Sequence, residues 1–314
     1  MHFPLVSIII PVFNGDQYLN DTIESVQAQT YTNWELIITN DGSTDNTGNL
    51  IKAKAEQDIR IKIIHQSNLG MGKARNEAIK IATADYLAFI DADDLWQPSK
   101  LEKQVNVIMS SGADLIYTSG HTFSGSPSNT IKYWQVPPGM HGYNDFFIRQ
   151  LYGFTIPVLS VLVRKDKVME VGGFIEDKKA HLAADYQLWL KLMDSKSCFY
   201  GIDETLFLYR IHEKQSTASD SLALDQVLWA LKFANLKSIS VQSKYKVMEQ
   251  RLNRYLIHNA DALTKDVIFK YIELYKDIFQ KNIKCNLMKL AYSSGLSNFK
   301  RFGYKYLDLT ESLV

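Results

Sequence analysis

Two periodicities alternate along the first two thirds of the chain. Residues 6–11 form a short β-branched apolar run, the pattern of a buried parallel strand. Strand-like stretches recur at 34–39, 60–65, 86–90 and 114–118. Between them apolar residues return at helical spacing: 17–29, with Leu19, Ile23 and Val26 on one face, then 45–57, 73–82 and 101–109. Strand–helix alternation predicts an α/β fold joined by right-handed crossovers. From 120 to 142 the pattern breaks into Ser, Gly and Pro, which predicts a long irregular excursion of the kind that covers substrates. A strand at 159–164, a helix at 183–193 and a strand at 206–211 follow. Beyond 219 the pattern is helical at 221–236, 243–258, 265–280 and 286–294. The expected organisation is an α/β domain over 1–220 and a helical C-terminal region over 221–314.

Composition adds bounds. The 314 residues are 46% hydrophobic and 22% charged, which suits a globular chain with a sizeable core. Met1-His2-Phe3-Pro4 lacks the basic start of a secretion signal, and no stretch reaches the roughly 20 apolar residues of a membrane span. Cys198 and Cys285 offer neither a disulfide framework nor metal-ligand spacing, so a cytoplasmic location is expected. The net charge of +1 conceals an asymmetry: residues 225–314 hold 15 Lys/Arg against 8 Asp/Glu, and the remainder 20 against 26. The acidic part suits a cation site. The basic tail suits peripheral contact with the inner face of an anionic membrane, packing on the core, or a second subunit of a homo-oligomer. Nucleic acid is not an expected partner.

Candidate chemistry gathers at the carboxyl ends of the predicted strands, where open α/β sheets bind ligands. Pro11-Val12-Phe13-Asn14-Gly15 closes the first and is not the Gly-rich dinucleotide fingerprint. Asn40-Asp41-Gly42-Ser43 closes the second; Asp41 can accept from a base edge, or the segment is only a turn before a helix cap. Asn68-Leu69-Gly70-Met71-Gly72-Lys73-Ala74-Arg75 opens a helix, where two glycines would let backbone approach an anionic ligand and Lys73 and Arg75 add positive charge. The strongest signal is Asp91-Ala92-Asp93-Asp94 directly after an apolar strand. Carboxylates crowded there repel one another, and a divalent cation, Mn2+ or Mg2+, completed by substrate phosphates removes that penalty.

Taken in order, residues 7–14, 35–47, 68–79 and 89–96 resemble the nucleotide-binding half of a family 2 glycosyltransferase of the GT-A fold. The resemblance implies a mixed, mostly parallel sheet flanked by helices, and a nucleotide-sugar donor, a UDP-sugar foremost. It implies that Pro11, Phe13, Asp41, Asn68 and Arg75 frame the nucleoside, with Asp41 on the uracil edge, Asp91 near the ribose and Asp93 on the metal. Ala184-Asp185 resembles the family's Glu-Asp segment, which makes Asp185 the catalytic base; Tyr209-Arg210-Ile211-His212 resembles its histidine motif, which places His212 at the metal or the diphosphate. Asn40 and Ala184 depart from the family's usual acidic residues. The Gln-x-x-Arg-Trp motif of processive members is absent, so one sugar added to a glycan or lipid-linked acceptor is expected. The implied activity is inverting transfer for surface polysaccharide. A nucleotidyltransferase and a nonenzymatic nucleotide-sugar-binding subunit are the alternatives.

Overall fold

The computed structural model describes residues 3–152, 156–213, 215, 220–258, 274, 277 and 278. Its strands are β1 (Val6–Val12), β2 (Trp34–Asn40), β3 (Ile61–His65), β4 (Tyr86–Phe89), β5 (Leu95–Trp96), β6 (Leu115–Phe123), β7 (Thr130–Trp134), β8 (Gly139–His141), β9 (Leu162–Arg164) and β10 (Phe199–Arg210). Helices are α1 (Leu19–Gln27), α2 (Thr47–Gln57), α3 (Met71–Ile81), α4 (Lys100–Ser111), α5 (Tyr143–Tyr152), α6 (Lys165–Glu170), α7 (Ala184–Asp194), α8 (Asp220–Phe233) and α9 (Val241–His258). The chain divides into two compact units, Met1–Ala218 and Ser219–Val314.

The first unit is built on one mixed sheet of order β3-β2-β1-β4-β9-β6-β10-β5, with β7 on β6 and β8 on β10. β1, β2, β3 and β4 pair in parallel, as do β6 and β10. The short strands β5, β7, β8 and β9 supply the antiparallel pairs. Every residue of β1 and β2 is buried, because helices cover both faces of the parallel half. α1 buries Leu19, Ile23 and Val26, the face expected from spacing. After β3 the chain returns through α3 to the opposite side of β1. The β1–β4 junction is therefore the point where winding reverses, and its carboxyl ends open a crevice.

Residues 120–142 correct the irregular excursion expected there. β6 runs on to Phe123, a turn at Gly125 (φ 68°) reverses the chain, and β7 returns along β6, with β8 on β10 further on. Ile131 and Tyr133 of β7 are exposed, so backbone pairing rather than a buried apolar face makes the strand, and periodicity carries no sign of it. The expected strand at 159–164 begins as a 3-10 turn, Val158–Ser160, before β9. β5, α5 and α6 were not foreseen.

In the second unit α8 and α9 stand where helices were expected, and Lys244 Nζ donates to the Lys232 and Ala234 carbonyls at the end of α8. Of the helices expected at 265–280 and 286–294 only Leu274, Asp277 and Ile278 are described, all helical; the rest lie outside the described residues. No described helix is long and apolar enough to cross a membrane.

Candidate active site

The crevice is walled by loops that follow β1, β2 and β3. Pro11 is buried in β1, and Phe13 and Asn68 are exposed on the loops after β1 and β3. Asn14, at φ 52°, ties the first loop to the second: its Oδ1 accepts from Thr44 N at 2.8 Å and its N donates to Ser43 Oγ at 3.0 Å. Asn40, one of the departures, closes the turn after β2 by accepting from Ser43 N at 2.9 Å, a task for which an amide oxygen suffices.

Asp41 is 3% exposed and accepts three hydrogen bonds: from Gln66 Nε2 (2.7 Å) and Leu69 N (2.8 Å) on Oδ1, and from Gly70 N (2.8 Å) on Oδ2. The amides before α3, read from sequence as open to a ligand anion, thus already hold a protein anion. Gly42 (φ 80°) permits this approach, since a Cβ there would lie 2.9 Å from Asn68 N. Asp41→Ala should leave the two amides unpaired and cost on the order of 2–4 kcal/mol, read as a lowered thermal midpoint. A midpoint shift below about 1 °C would show that the loop holds itself.

Two neighbours read as ligand-facing serve another purpose. A Cβ on Gly72 would collide with the Ile175 carbonyl, so this glycine admits the 172–176 turn rather than a substrate. Lys73 pairs with Glu77 (3.1 Å) and Glu176 (3.2 Å) and fastens that same turn. Arg75 turns instead to the carboxylates after β4. It is 3% exposed, its Nη2 meets Asp91 Oδ1 at 2.5 Å, and its Nε is buried without a hydrogen-bond partner.

Past β4 the three carboxylates separate by role. Asp93, a third exposed, holds His212 Nε2 2.9 Å from its Oδ2, and the two lie 119 residues apart in sequence. Burial, then the Asp91 charge, raises the Asp93 pKa against the lowering pull of His212. Asp94 turns inward: Oδ1 accepts from Arg210 N at 2.8 Å, while Oδ2 is buried and unpartnered. Arg210 Nε in turn donates to the Asp93 carbonyl at 2.7 Å, and its guanidinium lies between the rings of Tyr18 (4.4 Å) and Phe123 (4.6 Å). The end of β10 is thereby clamped to the carboxylate turn, and His212 is delivered to Asp93. A cleft of about 290 Å³ opens beside His212 between Gln17, Tyr18, Ser124 and Arg210.

Among the described residues no three His, Cys, Asp or Glu side chains converge on a metal position. The Asp93–His212 pair nonetheless fits a divalent cation. It offers one hard oxygen and one imidazole nitrogen, and the local excess of negative charge is what a cation neutralises. At substrate-phosphate sites Mg2+ commonly takes only one or two protein ligands, so this pair would suffice to hold it.

Asp185 stands in the first turn of α7, partly buried, with its Oδ1 accepting from Tyr186 N at 2.7 Å. Burial raises its pKa to about 6, opposed by the Arg75 guanidinium and reinforced by the Asp91 charge. Both those groups therefore act on it electrostatically. An acid group with such a pKa, ionised at neutral pH, is fitted to accept a proton from a hydroxyl. Ala184, the other departure, is 1% exposed at the helix start. Phe174 escaped the sequence reading altogether; the pair of left-handed glycines before it, Gly172 and Gly173, was the available signal.

The model of the family described as Glycosyl transferase family 2 matches residues 7–168. The chain is 31% identical over 209 residues to TuaG of Bacillus subtilis, a protein named for teichuronic acid biosynthesis, covering 66% of this chain and 79% of that one. In structure it is similar to S. aureus TarS solved with UDP-GlcNAc, at a TM-score of 0.69 and 17% identity over 96% of this chain and 91% of that one. It is also similar to the mannosyltransferase PcManGT of Pyrobaculum calidifontis, solved with GDP-Man and Mn2+, at a TM-score of 0.60 and 14% identity over 97% and 85% of the two chains. The two solved structures share this chain's fold. With its crevice at the β1–β4 reversal and a family model matched over more than half its length, the chain belongs to glycosyl transferase family 2 and has the GT-A fold.

Proposed function

We propose that the protein transfers a sugar with inversion from a UDP-sugar to a hydroxyl of a glycan or lipid-linked acceptor in surface polysaccharide synthesis, with Mn2+ or Mg2+ as cofactor. One observation carries the reading: the Arg75–Asp91 pair and the Asp93–His212 pair stand two residues apart on the turn after β4, and the Arg75 and Asp91 charges act on the Asp185 carboxylate. Names among the relatives, teichuronic acid synthesis and a UDP-GlcNAc complex, agree with the substrate class.

Phe13 and Asn68, exposed beside buried Pro11, receive the nucleoside. Asp41 retains one acceptor position, on Oδ2, for the uracil N–H while it fixes the loop. Asp91, held by Arg75, sits by the ribose. Asp93 and His212 hold the cation, which when bound stabilises negative charge on the departing diphosphate as a Lewis acid. Asp185 takes the proton of the acceptor hydroxyl as its oxygen attacks the anomeric carbon from the face opposite the leaving group. The C–O bond to the diphosphate breaks as the new glycosidic bond forms, so the configuration inverts. A nucleotidyltransferase is set aside by the family match and by the lack of a Gly-rich loop after β1.

A panel of UDP- and GDP-sugars, each with Mn2+, tests the donor class by thermal shift. Saturation at about 100 times Kd should stabilise the folded chain by roughly 2.7 kcal/mol. A UDP-sugar should raise the midpoint and release UDP slowly in Mn2+ without acceptor. Stabilisation by GDP-sugars alone would replace the uridine donor, and by none would remove the reading.

A further inference from the structure

The aromatic ring of Phe174 meets side chains from β4, α3 and α7. It is 2% exposed and meets Phe89, the last residue of β4, edge-on at 5.1 Å. The Arg75 guanidinium lies 5.2 Å from the ring centroid, and that same guanidinium holds Asp91. On its other side the ring meets Trp189 at 6.5 Å and 72°. Trp189 follows Asp185 by one helical step of four, so the two share a face of α7. A single side chain thus links the strand that delivers Asp91, the guanidinium paired to it, and the helix that carries Asp185.

The turn bearing Phe174 is fastened from both sides. Asn76 of α3 accepts from Phe174 N (2.9 Å) and donates to its carbonyl (2.8 Å), bonding both backbone polar groups of one residue as a neighbouring strand would. Gly173, at φ 66°, is required there, since a Cβ would lie 2.6 Å from Asn76 Oδ1. Glu176 adds bonds to Asn76 (2.8 Å) and Lys73 (3.2 Å). From α7, Lys191 Nζ donates to the Gly173 carbonyl at 2.7 Å. Packing alone would need no such double anchorage of a five-residue turn. Fixing the separation of α3 and α7 does need it.

We propose that Phe174 is a positioning residue: held by the 172–176 turn, its ring sets α7, and with it Asp185, against the Arg75–Asp91 pair. The inference rests on Asp185 being the proton acceptor. Displacing a reacting group by about 1 Å costs on the order of 10²-fold in rate, so a ring that spaces base and donor controls turnover more than affinity. Of the proposed donor contacts, Pro11, Phe13, Asn68 and Asp93 lie on other elements, and the ring reaches the donor only through Arg75 and Asp91.

The test compares Phe174→Leu, which keeps an apolar side chain, with Asn76→Ala, which loosens the turn without opening the core. Binding is measured by calorimetry with UDP and Mn2+, and turnover as UDP released from the UDP-sugar that stabilises the parent chain. Both variants should lose about 10-fold or more in kcat, with Kd for UDP weakening by a much smaller factor through the Arg75–Asp91 pair. Should Phe174→Leu not fold, Asn76→Ala decides alone. A kcat within twofold of the parent, or a Kd that weakens in step with kcat, overturns the positioning role while leaving the transferase reading intact. A parent chain that binds UDP but turns over no donor removes Asp185 chemistry, and the role of Phe174 with it.

Discussion

Asp185→Asn should lower turnover by about 10²–10⁴-fold, with donor affinity unchanged, because the amide keeps the shape of the site and loses the proton acceptor. The same substitution should raise stability at neutral pH. The folded pKa of about 6 lies above the ordinary carboxylate value, so the folded chain binds this proton more readily than the unfolded chain does. The ionised group therefore costs stability above its folded pKa, by roughly 1–3 kcal/mol, and that cost fades as pH falls toward 4. The variant's thermal midpoint should exceed the parent's at pH 7 and approach it near pH 4. For the parent enzyme the sign is opposite in rate: turnover should fall as pH drops through about 6 and the base is protonated. Near-parental turnover in the Asn variant would remove Asp185 from the mechanism. Reduced activity with no gain in midpoint would show that burial does not strain its charge.

Asp93→Ala should abolish the part of donor binding that depends on Mn2+. Asp93 supplies the one hard oxygen of the pair, and His212 by itself leaves a cation nearly without protein ligands. The loss should exceed the roughly 10–100-fold that removal of an outer-shell partner costs. His212→Ala, which spares the carboxylate, should weaken binding less. The discriminating measurement is donor affinity with Mn2+ and with EDTA. Parent affinity should collapse in EDTA, and Asp93→Ala should bind as weakly in either. A variant that binds in Mn2+ as the parent does would place the cation elsewhere.

Both predictions concern residues legible in the sequence, and the reason is local. Asp91, Asp93 and Asp94 directly follow an apolar run, and adjacency alone crowds charge at a strand end. Asp185 stands at the start of a helix that its apolar spacing announces, while its role as a base is implied only by the resemblance of Ala184-Asp185 to the family's Glu-Asp segment. β1 and β2 are visible because strands buried on both faces leave short runs dominated by apolar residues. β7 was not visible, because its residues are exposed and its partner β6 is set by pairing.

What the sequence by itself determined, then, is the series of strands, the helices between them, and the acidic groups placed at their ends. Each follows from residues within a few positions of one another. Tertiary structure alone decided which groups meet. It brought His212 to Asp93 across 119 residues and set Arg75 on Asp91. It spent the amides of Leu69 and Gly70 on Asp41, and turned Gly72 and Lys73 from a ligand toward the 172–176 turn. It also buried Asp185 enough to lift its pKa to about 6. The physical reason is one of range: periodicity and capping act within a helical turn or a strand, whereas desolvation, ion pairing and ring contacts depend on neighbours that only the closed chain supplies.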